Sequence, residues 1–219
     1  MIKEFLSDTR NLALFIELLS AIFSLKYYYK YKRVPVLKFF TILLWYIFLN
    51  ELLGLYIRTF ITDHNAIIYN IYFGINFIYF FILFRKYLSK SKFKSIVLTF
   101  LVIYIIAYIL EGIFKNYLIE FQTFAYILAA LMLIVTIIFY FIEILNSDKV
   151  LVIKKNLLFW ISVGLLLYYV GYIPYRIIRN FYTELEKSSV IIAVNVTLTI
   201  IMNTCFIIGF IWSDKKQQY

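Results

Sequence analysis

This 219-residue sequence is poor in the groups that carry most protein chemistry. It holds one cysteine, Cys205, and one histidine, His64. One thiol cannot close an internal disulfide, so cysteine pairing gives no information about compartment. A zinc site takes three or four Cys, His or carboxylate ligands. The first two are too scarce here, and neither a metal site nor a cofactor is expected. Proline occurs twice and glycine six times, which leaves few helix breakers and little turn chemistry. Charged residues make up 16%, where a soluble domain carries about 25%. What replaces them is apolar: 64% of the chain is hydrophobic, 21% is aromatic and the mean hydropathy is +0.87. That balance excludes a soluble globular fold, and it is the reverse of the composition that keeps a chain disordered. The fold class expected is all-α, a polytopic membrane protein.

A membrane-spanning helix needs about 20 mostly apolar residues. Stretches that satisfy this predict seven spans, at 11–29, 36–58, 66–86, 95–115, 121–145, 156–178 and 189–212. Their apolar cores are broken only by Glu17 in the first and Glu51 in the second. The connections are too short for a soluble domain, so residues 1–219 are expected to form one seven-helix transmembrane bundle. The first span has no small-residue cleavage site and keeps a glutamate at its centre, so no cleavable signal peptide is expected.

Basic residues in short loops set the orientation. The first loop, third loop, fifth loop and C-terminal tail hold 15 of the 22 basic residues and three acids, a net charge of +12. The opposite side carries seven of each sign and is neutral. This alternation places the N-terminus outside and the C-terminus in the cytoplasm. The +12 face then meets anionic lipid headgroups, which removes the nucleic-acid reading of the basic charge. Tyr27, Tyr28, Tyr29, Tyr31, Trp160 and Trp212 fall on the same side, where aromatic rings anchor helices at the headgroup boundary.

Polar side chains within spans bear a desolvation cost, and so they are informative. Glu17, Ser20 and Ser24 share one face of the first helix, and Glu51, Gly54 and Arg58 one face of the second. The third carries Asn70, Gly74 and Asn76, and the fourth Tyr104, Tyr108 and Glu111. The fifth has Ala125, Ala129, Thr136 and Tyr140, the sixth Gly164, Tyr168, Gly171 and Tyr175, and the seventh Asn195, Thr199 and Asn203. Stripes of this kind pack inward, because small residues let helices approach and Ser, Thr and Asn bond across them. Glu17 and Glu51 lie about 10 Å below the outer surface at 1.5 Å per residue. Polar groups of six helices crowd into that outer half. Glu17, Glu51, Asn76, Tyr172, Arg176 and Asn195 are therefore the candidate ligand-binding residues of an outward-facing pocket. Two carboxylates favour a cation or an amine, unless the arginines neutralise them. The competing reading is structural: Glu51 pairs with Arg58 or Arg176, Glu17 bonds to Asn195 or a tyrosine, and the groups only fix helix register.

Several chemistries are excluded. The final span has no lysine to hold retinal, no span holds Asp for aspartyl proteolysis, and none holds histidine for an HExxH site or a Ser–His pair. The spacing of Arg58 and His64, shared with some ribonucleases, falls in an outer loop where RNA is absent. No catalytic residue is assigned. Two alternatives remain. One is a transporter or oligomeric pore, with a polar path through Asn203, Thr136 and Tyr140. The other is a lipid-directed membrane enzyme that uses Glu17 and Glu51 as an acid–base pair.

The sixth span carries Phe159-Trp160-Ile161-Ser162-Val163-Gly164 and then Tyr168-Tyr169-Val170-Gly171. This segment resembles one in the seven-helix membrane regions that precede bacterial sensor histidine kinases, and span count and loop lengths are similar over nearly the whole chain. The resemblance implies a region that senses a signal and passes it inward. Unlike those regions, the seventh span is expected to carry no kinase, HAMP or coiled-coil output of its own, so output is expected through a separate membrane or cytoplasmic signalling partner. The expected function is a standalone sensory or accessory membrane protein that binds a small molecule or lipid. Its partners would be membrane lipids, that signalling protein and, for a pore, further copies of the chain.

Overall fold

A computed structural model describes residues 2–61, 65–181 and 189–214, with side chains described from Asn11 onward except at 148–149, 179–181 and 189–191. All secondary structure among the described residues is helical: α1 (Ile2–Lys26), α2 (Tyr28–Tyr31), α3 (Phe40–Phe60), α4 (Ala66–Tyr87), α5 (Ser91–Phe114), α6 (Thr123–Leu145), α7 (Leu157–Phe181) and α8 (Ser189–Trp212), with short 3-10 segments at Leu37–Phe39 and Asp148–Lys155. Among the described residues six helical stretches are long and apolar enough to cross a membrane, and they coincide with the second to seventh predicted spans. By length and composition this is a multi-pass membrane protein. The first predicted span, 11–29, falls on α1, which ends at Lys26 before a separate turn of helix at Tyr28–Tyr31. Helix α5 begins at Ser91, four residues before the predicted span. The apolar stretch in the sequence stops short of Lys92 and Lys94, yet backbone hydrogen bonding tolerates lysines whose stems run along a helix end while their ammonium groups stay in water. Asp63 and His64, and with them the Arg58–His64 spacing, lie outside the described residues.

The chain divides into two compact units, Met1–Phe48 with Val152–Tyr219, and Leu49–Leu151. In the first unit α8 packs along α7 on one side and α1 on the other. Glycine makes the α7–α8 contact close. A Cβ on Gly209 would sit 2.7 Å from Cβ of Trp160, one on Gly171 would sit 2.6 Å from a methyl of Leu198, and one on Gly164 would sit 3.0 Å from the Met202 carbonyl oxygen. These are the small-residue contacts that lipid-embedded helices use to gain dispersion energy, since burial against lipid offers no hydrophobic gain.

The end of this unit nearest α2 is held by one lysine. Lys30 Nζ donates to the carbonyl oxygens of Phe210 (2.9 Å), Ile211 (2.9 Å) and Ser213 (2.8 Å). These belong to the last turn of α8 and the residue beyond it, where carbonyls have no intrahelical partner and the helix dipole favours a cation. The ammonium also lies 4.5 Å from the centre of the Tyr27 ring. Burial pulls the Lys30 pKa down from its usual value, and the Asp214 carboxylate pulls it partly back. Beside it, Tyr31 is fully buried, donates to the Ser24 carbonyl and shares a hydrogen bond with Thr41. The turn that follows is anchored by buried Val34 and Leu37. Between them Val36 is held at φ 63, with the Leu37 N–H donating across it to the Pro35 carbonyl (2.7 Å). A β-branched residue pays for that conformation in strain, and the two buried neighbours hold it there. Lys30→Met, which keeps the apolar stem, is expected to lower stability by about 1–2 kcal/mol. Thermal unfolding of the full chain in lipid nanodiscs reads this, with faster amide exchange expected at residues 209–213.

The second unit is built from the last half of α3 and from α4, α5 and α6, the latter three packed pairwise. Its core is aromatic. Tyr126 meets Phe73 and Phe77 edge-on, with ring centres 4.7 and 5.3 Å apart, and Phe77 meets Tyr104 at 5.4 Å. Such edge-to-face pairs add about 0.5–1.5 kcal/mol each beyond their burial. The Tyr104 hydroxyl donates to the Phe73 carbonyl (3.1 Å). Aliphatic side chains such as Ile75, Ile106 and Ile142 remain exposed, as lipid-facing positions must.

Candidate functional site

The six residues singled out from the sequence fall into both units. Glu17, Tyr172, Arg176 and Asn195 belong to the first, and Glu51 and Asn76 to the second. In the first unit Tyr172 and Arg176 occupy successive turns of α7, and both are buried. The ring of Tyr172 lies between those of Tyr168 and Tyr175, with centres at 5.0 and 4.9 Å. Glu17 and Asn195 are half-buried. Oε2 of Glu17 and Nη2 of Arg176 are both closed off from the surface. The polar stripes of α1 and α8 meet one turn away from Glu17. Ser20 Oγ lies 2.6 Å from Asn203 Oδ1 and 2.9 Å from the Glu17 carbonyl oxygen, and Asn203 Nδ2 donates to the Thr199 carbonyl (3.0 Å).

In the second unit Glu51 Oε2 accepts a hydrogen bond from the Tyr69 hydroxyl (2.9 Å). The ring of Tyr69 lies against Gly54, where a Cβ would come within 2.9 Å of the hydroxyl oxygen. Only glycine one turn after Glu51 leaves room for that approach. Asn65 Nδ2 donates to the Gly54 carbonyl (3.3 Å). Asn76 is 3% exposed, and its Oδ1 is shielded.

A second polar cluster, which the sequence marked only as parts of stripes, forms where α4 begins, α5 ends and α6 begins. Asn70 is fully buried. Its Nδ2 donates to the carbonyls of Tyr117 and Glu120 (both 2.9 Å), and its Oδ1 accepts from the backbone N–H of Gln122 (3.1 Å). The Tyr108 hydroxyl donates to the Asn70 carbonyl (2.9 Å) and lies 2.5 Å from the Tyr117 hydroxyl. Helix α6 starts on Gln122, whose side chain makes no cap. The missing cap comes from α5. Glu111 accepts from the N–H groups of Phe124 (3.1 Å) and Ala125 (2.7 Å), the second and third helical residues that an N-cap side chain serves. Lys115 completes the carboxylate at 2.8 Å. At the far end of the same hairpin Glu143 of α6 accepts from the N–H groups of Ser89 (2.5 Å) and Lys90 (2.8 Å), just before α5.

These charged residues therefore separate by position. Glu111 and Glu143 neutralise backbone donors at helix starts, as Lys30 serves carbonyls at a helix end. Glu17, Glu51 and Arg176 lie within helices, away from those termini. The sequence marks Glu111 as part of a stripe with Tyr104 and Tyr108 but cannot show its role, because its partners are backbone N–H groups that no residue letter encodes. The available signal was a helix start without Ser, Thr, Asp or Asn at its cap and a glutamate on the preceding helix.

No group of three or more His, Cys, Asp or Glu side chains that could hold a metal is found among the described residues. A recess of about 470 Å³ lies in the second unit, on α5 and the start of α6; none of the six sequence-selected residues lines it. Compared with known proteins, the chain matches no family model, no curated protein and no solved structure.

Proposed function

We propose that this chain is a sensory or accessory protein of a bacterial inner membrane, with seven spans, the N-terminus outside and the C-terminus in the cytoplasm. It binds a small molecule or lipid from the outer side and biases a signalling partner by shifting between two helix packings. The observation that carries this reading is the placement of ionisable side chains inside helices rather than at their ends. Glu17, Glu51 and Arg176 lie within α1, α3 and α7, and charged groups at membrane depth are retained at a cost that function ordinarily justifies. Tyr172, Arg176, Glu17 and Asn195 in the first unit, with Glu51 and Asn76 in the second, are the ligand-responsive set. The resemblance of residues 159–171 to seven-helix sensory regions points the same way, as does the +12 face, which suits a cytoplasmic or membrane partner.

The transport alternative draws less support. Of the groups predicted to line an inner polar path, Asn203 is engaged by Ser20 and Thr199, and Thr136 donates to the Met132 carbonyl (2.8 Å). Hydrogen bonds spent inside the protein leave fewer for a moving solute.

The test is ligand-dependent stabilisation of the full chain in nanodiscs against a panel of small amines and inorganic cations. A ligand at a hundredfold its Kd stabilises by about 2.7 kcal/mol, which raises Tm by about 5–10 °C for a chain of this size. Glu17→Gln and Glu51→Gln are each expected to keep the unliganded Tm within about 2 °C and to lose most of that rise. A panel in which no compound shifts the wild type, or in which both variants shift equally with it, defeats the reading.

A further inference from the structure

We propose that the recess on α5 is a specific site for one anionic phospholipid, with an acyl chain along the helix and the headgroup phosphate on Lys115. The site is independent of the six residues discussed above. Its floor is a single helical face. Ile103, Ala107, Leu110 and Phe114 follow one another at three- and four-residue spacing on α5, and Phe124 closes the side from α6. The dent exists because Ala107 is small and nearly buried (9% exposed) between the larger and more exposed Ile106 (52%) and Leu110 (47%). Length and charge together select the occupant. From Ile103 to Lys115 the helix rises about 18 Å, close to the roughly 15 Å of hydrocarbon in one leaflet, and the run ends on a lysine. The groove therefore has the dimensions of one acyl chain and a cation at headgroup level.

The electrostatics at that end favour an anion. Among the residues that line the recess the acid is Glu111, which is 6% exposed and already holds three donors, two from the α6 backbone and one from Lys115. Lys115 is 36% exposed and spends one N–H on Glu111, so its ammonium retains donors for a phosphate oxygen. The formal charges of the pair cancel and Glu111 already caps the start of α6, so the remaining N–H donors of Lys115 are what meets a headgroup. A cationic headgroup would find the lining carboxylate already engaged by three donors. No covalent step is involved.

The experiment uses the full chain in nanodiscs of phosphatidylcholine and phosphatidylglycerol, with a trace of phosphatidylglycerol carrying a photoactivatable acyl chain. Adducts are then mapped by mass spectrometry. Labelling is expected to concentrate on Ile103, Leu110 and Phe124 over the equally lipid-exposed Ile75 and Ile142. Lys115→Gln is expected to reduce groove labelling about fivefold, the weight of about one net hydrogen bond, while Lys115→Arg retains it. Ala107→Leu fills the dent and should bring the groove down to the Ile142 level. Labelling spread evenly over all exposed aliphatic residues, which marks annular lipid only, would overturn the proposal. So would groove labelling that ignores Lys115→Gln, a variant that leaves the Glu111 contacts to the α6 backbone in place.

Discussion

Glu111→Ala is expected to destabilise the second unit by about 2–4 kcal/mol, the largest single effect among the substitutions considered. Three losses combine. The N–H groups of Phe124 and Ala125 lose their acceptor at the start of α6, where no residue of α6 itself supplies a replacement. A lost N-cap alone costs about 0.5–2 kcal/mol, and a buried donor left unmade costs about 1–3 kcal/mol. Lys115 also loses its partner, but that pair is partly exposed and contributes little of the total. The carboxylate is 6% exposed, so water cannot readily take its place. Thermal unfolding in nanodiscs should show Tm lower by about 5–15 °C, with amide exchange faster at residues 123–127 than in α4. Glu111→Gln keeps one acceptor oxygen and should lose less than half as much. A Tm within about 2 °C of wild type for Glu111→Ala would mean that solvent caps α6 adequately, and the role assigned to this residue would fall.

The second large effect is expected at Asn70. Leucine there keeps the heavy-atom count and branching of asparagine but replaces the amide by two bulkier methyl groups. The carbonyls of Tyr117 and Glu120 then lose their donor, and the Gln122 N–H loses its acceptor. Side-chain hydrogen bonds measured in membrane proteins average about 0.6 kcal/mol and reach about 1.7. Asn70 makes three with side-chain atoms and is fully buried, so the expected loss is about 2–3 kcal/mol. Glu120 lies at the exposed rim, where water can replace part of the loss, which keeps the figure below three full penalties. The two sites are coupled through residues 115–125. Asn70→Leu combined with Glu111→Ala should therefore cost less than the sum of the single changes. Additive effects would show that the two side chains hold separate elements, and the picture of one fastened junction between α5 and α6 would have to be abandoned.

Much of the architecture was legible in advance for one physical reason. A span is a local property of about 20 consecutive residues in a solvent that forbids unsatisfied backbone, so six predicted spans reappear within a few residues. Face assignments also carried over where helical periodicity governs. Tyr104, Tyr108 and Glu111 were placed on one face, and each reaches across to α4 or α6. Glycines of the sixth predicted span were read as an interface, and Gly164 and Gly171 lie against α8. The sites were less legible. Asn70 and Glu111 were visible as polar residues, but the same letters describe a ligand contact and a backbone clamp. Lys30 counted as one positive charge among fifteen, and nothing in its neighbourhood announced three carbonyls some 180 residues away.

Composition and periodicity alone thus determined that the chain is helical and membrane-embedded, roughly where its helices run, and which face of each is polar. These follow from transfer energies and a repeat of 3.6 residues, and both are readable along a line. Only the tertiary structure decided which charges are consumed by helix termini and which remain inside helices. The partners concerned are backbone N–H and C=O groups, identical at nearly every position of the sequence, and they become distinguishable only once the packing shows which of them a side chain can reach.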